Sequence, residues 1–238
     1  VEPSFVPPST GSTLVFLAIV GAVVALFVLG VRRAASTLEP EAVQRHTLAA
    51  VVGAALWLAG TGAYVQTGLI GRGDPWVMAF MGSANVGAVA LALSPVGGRL
   101  ARGVPLAWLV GFQAFRLPLE VVLHDWAEQG SIPWVMTWSG RNLDVVAGVV
   151  SLAAGLWLAR RPSPAVAWGA TVVSLGLLLN VIYTALGAAP LPVPWAFHSE
   201  PPLWLVFYLP YAWIVTVCVA GAMAGHLVTI RALLTTRT

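Results

Sequence analysis

Apolar residues run along this chain in blocks long enough to cross a bilayer, and polar residues gather between the blocks. A membrane-spanning helix needs about 20 consecutive, mainly apolar residues. Seven segments meet that length, at roughly 13–31, 47–70, 76–95, 104–128, 143–160, 164–187 and 203–230. The connectors carry turn residues, as in Gly71-Arg72-Gly73-Asp74-Pro75, Gly97-Gly98-Arg99 and Arg160-Arg161-Pro162-Ser163-Pro164. The pattern predicts an all-α, polytopic transmembrane bundle of seven helices. Residues 13–233 form its single membrane domain, 1–12 an external tail and 234–238 a cytoplasmic tail.

Composition agrees. Of 238 residues, 58% are hydrophobic and 9% charged, against about 25% charged in a soluble domain. All twelve basic residues are arginine. With the N-terminus outside, nine of them (Arg32, Arg33, Arg45, Arg99, Arg102, Arg160, Arg161, Arg231 and Arg237) fall on the cytoplasmic side. Only Arg72 and Arg141 fall outside, and Arg116 lies within a span. That bias sets the expected orientation. Tryptophans 76, 126, 134, 138, 195 and 204 stand near the external ends, where an interfacial belt belongs. Paired arginines at most make no nucleic-acid surface; the expected partners are membrane lipids and a small-molecule or lipid ligand. The Pro/Ser-rich segment from Val1 to Ser12 has no base, so a cleaved signal peptide is not expected, and an initiator Met is expected to have been removed before Val1.

The fourth span carries polar residues at helical spacing. Arg116, Glu120 and His124 stand at i, i+4 and i+8, with Gln113 three residues before Arg116, so all four share one face. Pro118 among them should kink the helix. Arg116 sits near the middle of the bilayer, where a charge costs at least about 2.5–3.5 kcal/mol. Glu120 is its expected partner. The pair either locks the bundle or lines a polar pocket, and intramembrane charges favour the pocket. Asn180 in the sixth span reaches the depth of Glu120. Asn142 and Asp144 open the fifth span, although Asp144 also suits a helix start. His198 and Glu200 lie in the loop before the last span, either as solvated residues or at the pocket mouth, and Tyr208 lies within that span. His226 and His46 are expected at the interface. Residues 132–142, too short to span and too apolar for a free loop, should cover the external mouth.

These residues carry a resemblance. Phe115-Arg116 with Glu120, Met136-Thr137 with Gly140, Asn142 and Asp144, then Asn180 and Glu200-Pro201 resemble a family of seven-span bacterial inner-membrane proteins. Its patterns are F-R-x-x-x-E, M-T-x-x-G-x-N-x-D and N-E-P. Ser199 stands here where that family has asparagine. The resemblance covers roughly residues 110–230 and implies a multi-pass protein of the bacterial cytoplasmic membrane, without bringing an activity.

Several chemistries can be set aside. Covalent retinal requires a lysine, and there is none. The single cysteine, Cys218, allows no disulfide within the chain. No H-x-x-x-H or H-E-x-x-H occurs, leaving His124 and His198 as weak metal candidates. His124 and His226 belong to opposite sides, which argues against a haem pair. No cofactor is expected. Three classes remain: binding, transport or sensing of a small or anionic ligand or of protons through a pocket open to the external side; a membrane enzyme acting on a lipid or isoprenoid; and a structural or assembly subunit.

Overall fold

The computed structural model describes residues 6–72, 74–191, 193–194, 196–197, 199 and 201–235. Helices α1 (Thr10–Ala34), α2 (Pro40–Gln66) and α3 (Asp74–Leu93) come first, with a 3₁₀ turn at Leu69–Arg72. A short α4 (Pro95–Gly103) precedes α5 (Leu106–Gly111), a 3₁₀ turn (Phe112–Phe115) and α6 (Arg116–Glu128). Then follow α7 (Asp144–Leu158), α8 (Pro164–Ala188), a π-helical turn (Ile214–Val219) and α9 (Ala220–Thr235). Local chemistry explains the starts. Pro40, Pro95 and Pro164 sit in first turns, where no backbone donor is needed. Ser9, Ser94 and Ser163 cap their helices with side-chain oxygens.

Among the described residues, six helical stretches are long and apolar enough to cross a membrane: α1, α2, α3, the α5–α6 run, α8, and the π-turn with α9. The chain is thus of a multi-pass membrane type, with exposed apolar side chains such as Leu14, Leu56, Val86 and Val172 coating the outside. The stretch read as a fifth span is the exception. With 15 residues, α7 is about 22 Å long at 1.5 Å per residue, short of the roughly 30 Å hydrocarbon thickness. The last crossing stretch also begins at Ile214 rather than 203. Pro201, Pro202 and Pro210 remove backbone donors, and the chain there makes a 3₁₀ turn at Leu205–Phe207 and irregular turns. Gly97-Gly98-Arg99, read as a turn, instead lies inside α4. A Cβ on Gly98 would stand 2.7 Å from the Arg231 guanidinium. The bare glycine lets Arg231 reach across and donate to the carbonyls of Ala92 and Ser94 at 2.9 and 3.1 Å, closing the end of α3.

The bundle has two chemically distinct ends. At one, Arg99 meets His46 at 3.3 Å, Gly103 packs on Ala34, Arg231 crosses α4, and Leu158 clusters with Leu233. The basic connectors therefore collect there. At the other end, the Ser9 N–H donates to Gln129 at 2.6 Å and the Trp126 indole N–H donates to Ser12 at 3.0 Å. Phe16, Trp126 and Tyr211 stack edge to face beneath them.

Helix α7 lies close against α5 and α6 because it is bare at two points. A Cβ on Gly148 would be 2.8 Å from the Leu117 nitrogen, and one on Gly155 would be 2.9 Å from the Gly111 Cα. Small residues allow such close approach between helices in lipid. Gly155→Leu is expected to cost about 1–3 kcal/mol through overpacking, read as a lower unfolding temperature in detergent. Gly169→Leu, at a position with open space around it, should leave that temperature unchanged.

Candidate functional site

The site grows from a break in the α5–α6 run. Pro118 cannot donate to the Ala114 carbonyl and its ring crowds that turn. The chain tightens into the 3₁₀ turn at Phe112–Phe115 immediately before α6. Arg116 and Glu120 then follow one helical turn apart, each 1% exposed.

They do not pair with each other as the spacing suggests. Arg116 forms a two-pronged ion pair with Asp144, Nε and Nη2 each donating to one carboxylate oxygen. Its Nη1 donates to the Ser174 carbonyl at 2.9 Å. Direction explains the choice. Long side chains on a helix lean toward its N-terminus, so Arg116 leans away from Glu120. Asp144, on the facing helix, offers two coplanar acceptors that match the guanidinium fork. Ser174 is itself held, its hydroxyl 2.9 Å from that of Ser151 and 3.2 Å from the Ala147 carbonyl.

The segment between α6 and α7 supplies the rest. It folds into the bundle, burying Ser131, Ile132, Met136, Thr137 and Asn142. Gly140 permits this turn, because a Cβ there would lie 2.3 Å from the Trp134 carbonyl oxygen. The Thr137 carbonyl accepts from the Gly140 and Asn142 N–H groups at 2.9 and 3.2 Å. The Asn142 side chain bridges the two acids. Its Nδ2 donates to Glu120 Oε1 at 2.7 Å and to the Met136 carbonyl at 3.1 Å, while its Oδ1 accepts from the Asp144 N–H at 3.1 Å. Glu120, Asn142, Asp144 and Arg116 thus form one buried chain of hydrogen bonds. The second Glu120 oxygen, Oε2, is buried and has no partner among the described residues.

Arg116, Glu120 and Asp144 line a cavity of about 60 Å³. Its other walls are almost wholly apolar, with Leu178 and Val181 from α8 and Ile214, Val215 and Cys218 from the π-turn. Widened helical turns often line functional sites. Toward the end near Ser9 the cavity is roofed by Ile132, Met136 and Leu205, all buried. Its half-exposed wall residues are Met81 and Asn85 on α3, Ile182 and Ala185 on α8, and Val219. Both α3 and α8 pack on α9.

The remaining candidates lie elsewhere. Asn180 does not line the cavity; it donates to the Arg141 carbonyl at 2.7 Å and ties down the folded connector. Gln113 turns toward α9, donating to the Ala222 carbonyl at 3.0 Å, with Oε1 unpartnered. His124 stacks on Trp138 at 4.0 Å, edge-on to Trp134, with Nε2 3.8 Å from Glu128. It does not line the cavity. Asn142 and Asp144 are buried in the network rather than at an opening. Tyr208 lies in the irregular segment before the π-turn and does not line the cavity. His198 and Glu200 lie outside the described residues. Among the described residues no group of three or more His, Cys, Asp or Glu converges as for a metal. His226, expected at the interface, is buried on α9 at 2% exposure. Sequence reading missed Ser151, Ser174 and Asn85. Asn85, a polar residue within an apolar run, was visible as such; the two serines carry no signal, since either fits any helix interface.

What this arrangement can do follows from which atoms are already engaged. Arg116 is occupied by Asp144 and Ser174. The open acceptor is Glu120 Oε2, at the polar wall of an apolar cavity. No family model, curated protein or solved structure matches the chain.

Proposed function

We propose that this protein binds a small membrane-dissolved molecule in the cavity beside Glu120, taken up sideways from the lipid between α3 and α8. The observation that carries this reading is the buried, unpartnered Oε2 of Glu120 against apolar walls. Leaving a buried acceptor unsatisfied costs about 1–3 kcal/mol, more for a charged group, and a ligand with a hydrogen-bond donor removes that cost. Intramembrane ionisable residues usually mark sites or pathways. The half-exposed rim on α3 and α8 supports access from the side, and the apolar roof disfavours the external mouth expected from the sequence. The Arg116–Asp144 pair takes the locking role and leaves no open cation for an anionic ligand. Around this site, α7 and the buried connector together complete a seventh crossing. The basic end faces the cytoplasm by the arginine bias, and the resemblance to bacterial inner-membrane proteins points to that membrane.

A photoactivatable probe tests the reading. A twelve-carbon amphiphile with a diazirine in its chain, added to protein in nanodiscs and irradiated, should label Met81, Ile182 and Val219 saturably. Labelling spread evenly over outer faces such as α2, without saturation, would overturn it.

A further inference from the structure

We infer that the ligand's polar end is a primary ammonium group. The inference rests on the binding reading above and names its ligand class. Besides the Cys218 thiol, three side chains that can carry charge line the cavity: one guanidinium, Arg116, and two carboxyls, Asp144 and Glu120. The guanidinium is committed to Asp144 through both of its prongs. Glu120 is left with an Asn142 amide on one oxygen and nothing on the other. With Glu120 ionised, a second cation is what the charge tally lacks, and a donor is what the geometry lacks. An ammonium supplies both in one group. A carboxylate or phosphate head would meet two acids and an arginine whose carboxylate-matching donors are taken. A hydroxyl would fill the open acceptor position but leave the charge unmatched, and charge-assisted hydrogen bonds are about twice as strong as neutral ones.

Size admits a small polar head. The cavity of about 60 Å³ is several times the roughly 10–15 Å³ that a single water needs on the same measure. That accommodates an ammonium with a methylene or two. A trimethylammonium head has no N–H to give Oε2. The hydrocarbon tail then leaves past Met81 and Ile182, which are half-exposed on the two flanking helices. The ligand is therefore a single-chain primary amine that lies in the lipid with its head drawn into the bundle.

The test uses the full chain in phosphatidylcholine nanodiscs, which contain no competing primary amine. Three diazirine-tagged twelve-carbon probes differ only in the head: amine, alcohol or carboxylate. The amine should label the cavity walls saturably, half-saturating at a concentration about tenfold below the alcohol, and the carboxylate should not saturate. In Glu120→Gln the amine's advantage over the alcohol should disappear. An alcohol or carboxylate that saturates the same residues at or below the amine's concentration would overturn the ammonium assignment while leaving the binding reading intact. Equal amine preference in wild type and Glu120→Gln would overturn it as well. No saturable labelling by any probe would overturn the binding reading itself, and the ammonium assignment with it. The head-group series in the wild-type protein decides the matter even where Glu120→Gln does not fold.

Discussion

Asp144→Ala should lower the stability of this protein by about 3–5 kcal/mol, the usual cost of removing one partner from a buried ion pair. Arg116 is 1% exposed and too far from either end of its helical run to reach water by stretching its side chain. Without Asp144 its remaining bonds would be those to Ser174. The Asn142 bridge should survive, because its Oδ1 accepts from the main-chain N–H of residue 144, which alanine also carries. Thermal unfolding in detergent should show a drop on the order of 10 °C, from about 2–4 °C per kcal/mol for a chain of this size. The companion test is Arg116→Met with Asp144→Leu. Replacing both charges by apolar groups of similar volume is often neutral or stabilising, so the double variant should regain most of the lost stability. A double variant as unstable as Asp144→Ala would mean that the pair is more than a lock.

Glu120→Gln should behave in the opposite way, changing binding strongly and stability little. Glutamine keeps the Oε1 acceptor for Asn142, so the 2.7 Å bond survives as a neutral one. That exchange weakens the bond by roughly 1 kcal/mol, and relief from burying an unmatched carboxylate works against the loss. The other oxygen becomes an NH₂ group, which cannot accept. A ligand donor would then face a donor, and about 1.5–3 kcal/mol of charge-assisted bonding would go, equivalent to roughly ten- to hundredfold in affinity. Equilibrium binding of the amine probe in nanodiscs checks the affinity, and the unfolding temperature of the same sample checks the fold.

How much of this was legible in the sequence depends on which physical quantity each feature needs. Helical, multi-span character follows from run length alone, and the six long apolar helices bear it out. The burial of Arg116 and Glu120 follows from the cost of charge in lipid. Their true partners do not, because spacing within one helix offers only neighbours on that helix. Asp144 is 28 positions from Arg116 and becomes its partner only through the packing of α7 on α6. Asn180 shows the same limit differently. Counting rise per residue sets its depth but not its direction, and its amide faces the Arg141 carbonyl rather than the cavity. The shortness of α7 was hidden for a related reason. Residues 143–160 read as one apolar run, but the chain reaches Asp144 already folded inside the bundle, so the helix starts deep. The sideways route had no sequence signal, since it rests on half-exposed cavity residues on α3 and α8, two helices far apart along the chain.

The central claim is that the polar network divides its work: Arg116 and Asp144 hold the bundle, and Glu120 holds a ligand. The most direct test measures amine-probe occupancy and unfolding temperature on one sample of Glu120→Gln in nanodiscs. The account predicts an unfolding temperature within a few degrees of wild type and a half-saturating concentration raised about tenfold or more. Unchanged occupancy, or a loss of occupancy accompanied by the large thermal drop expected of Asp144→Ala, would contradict it.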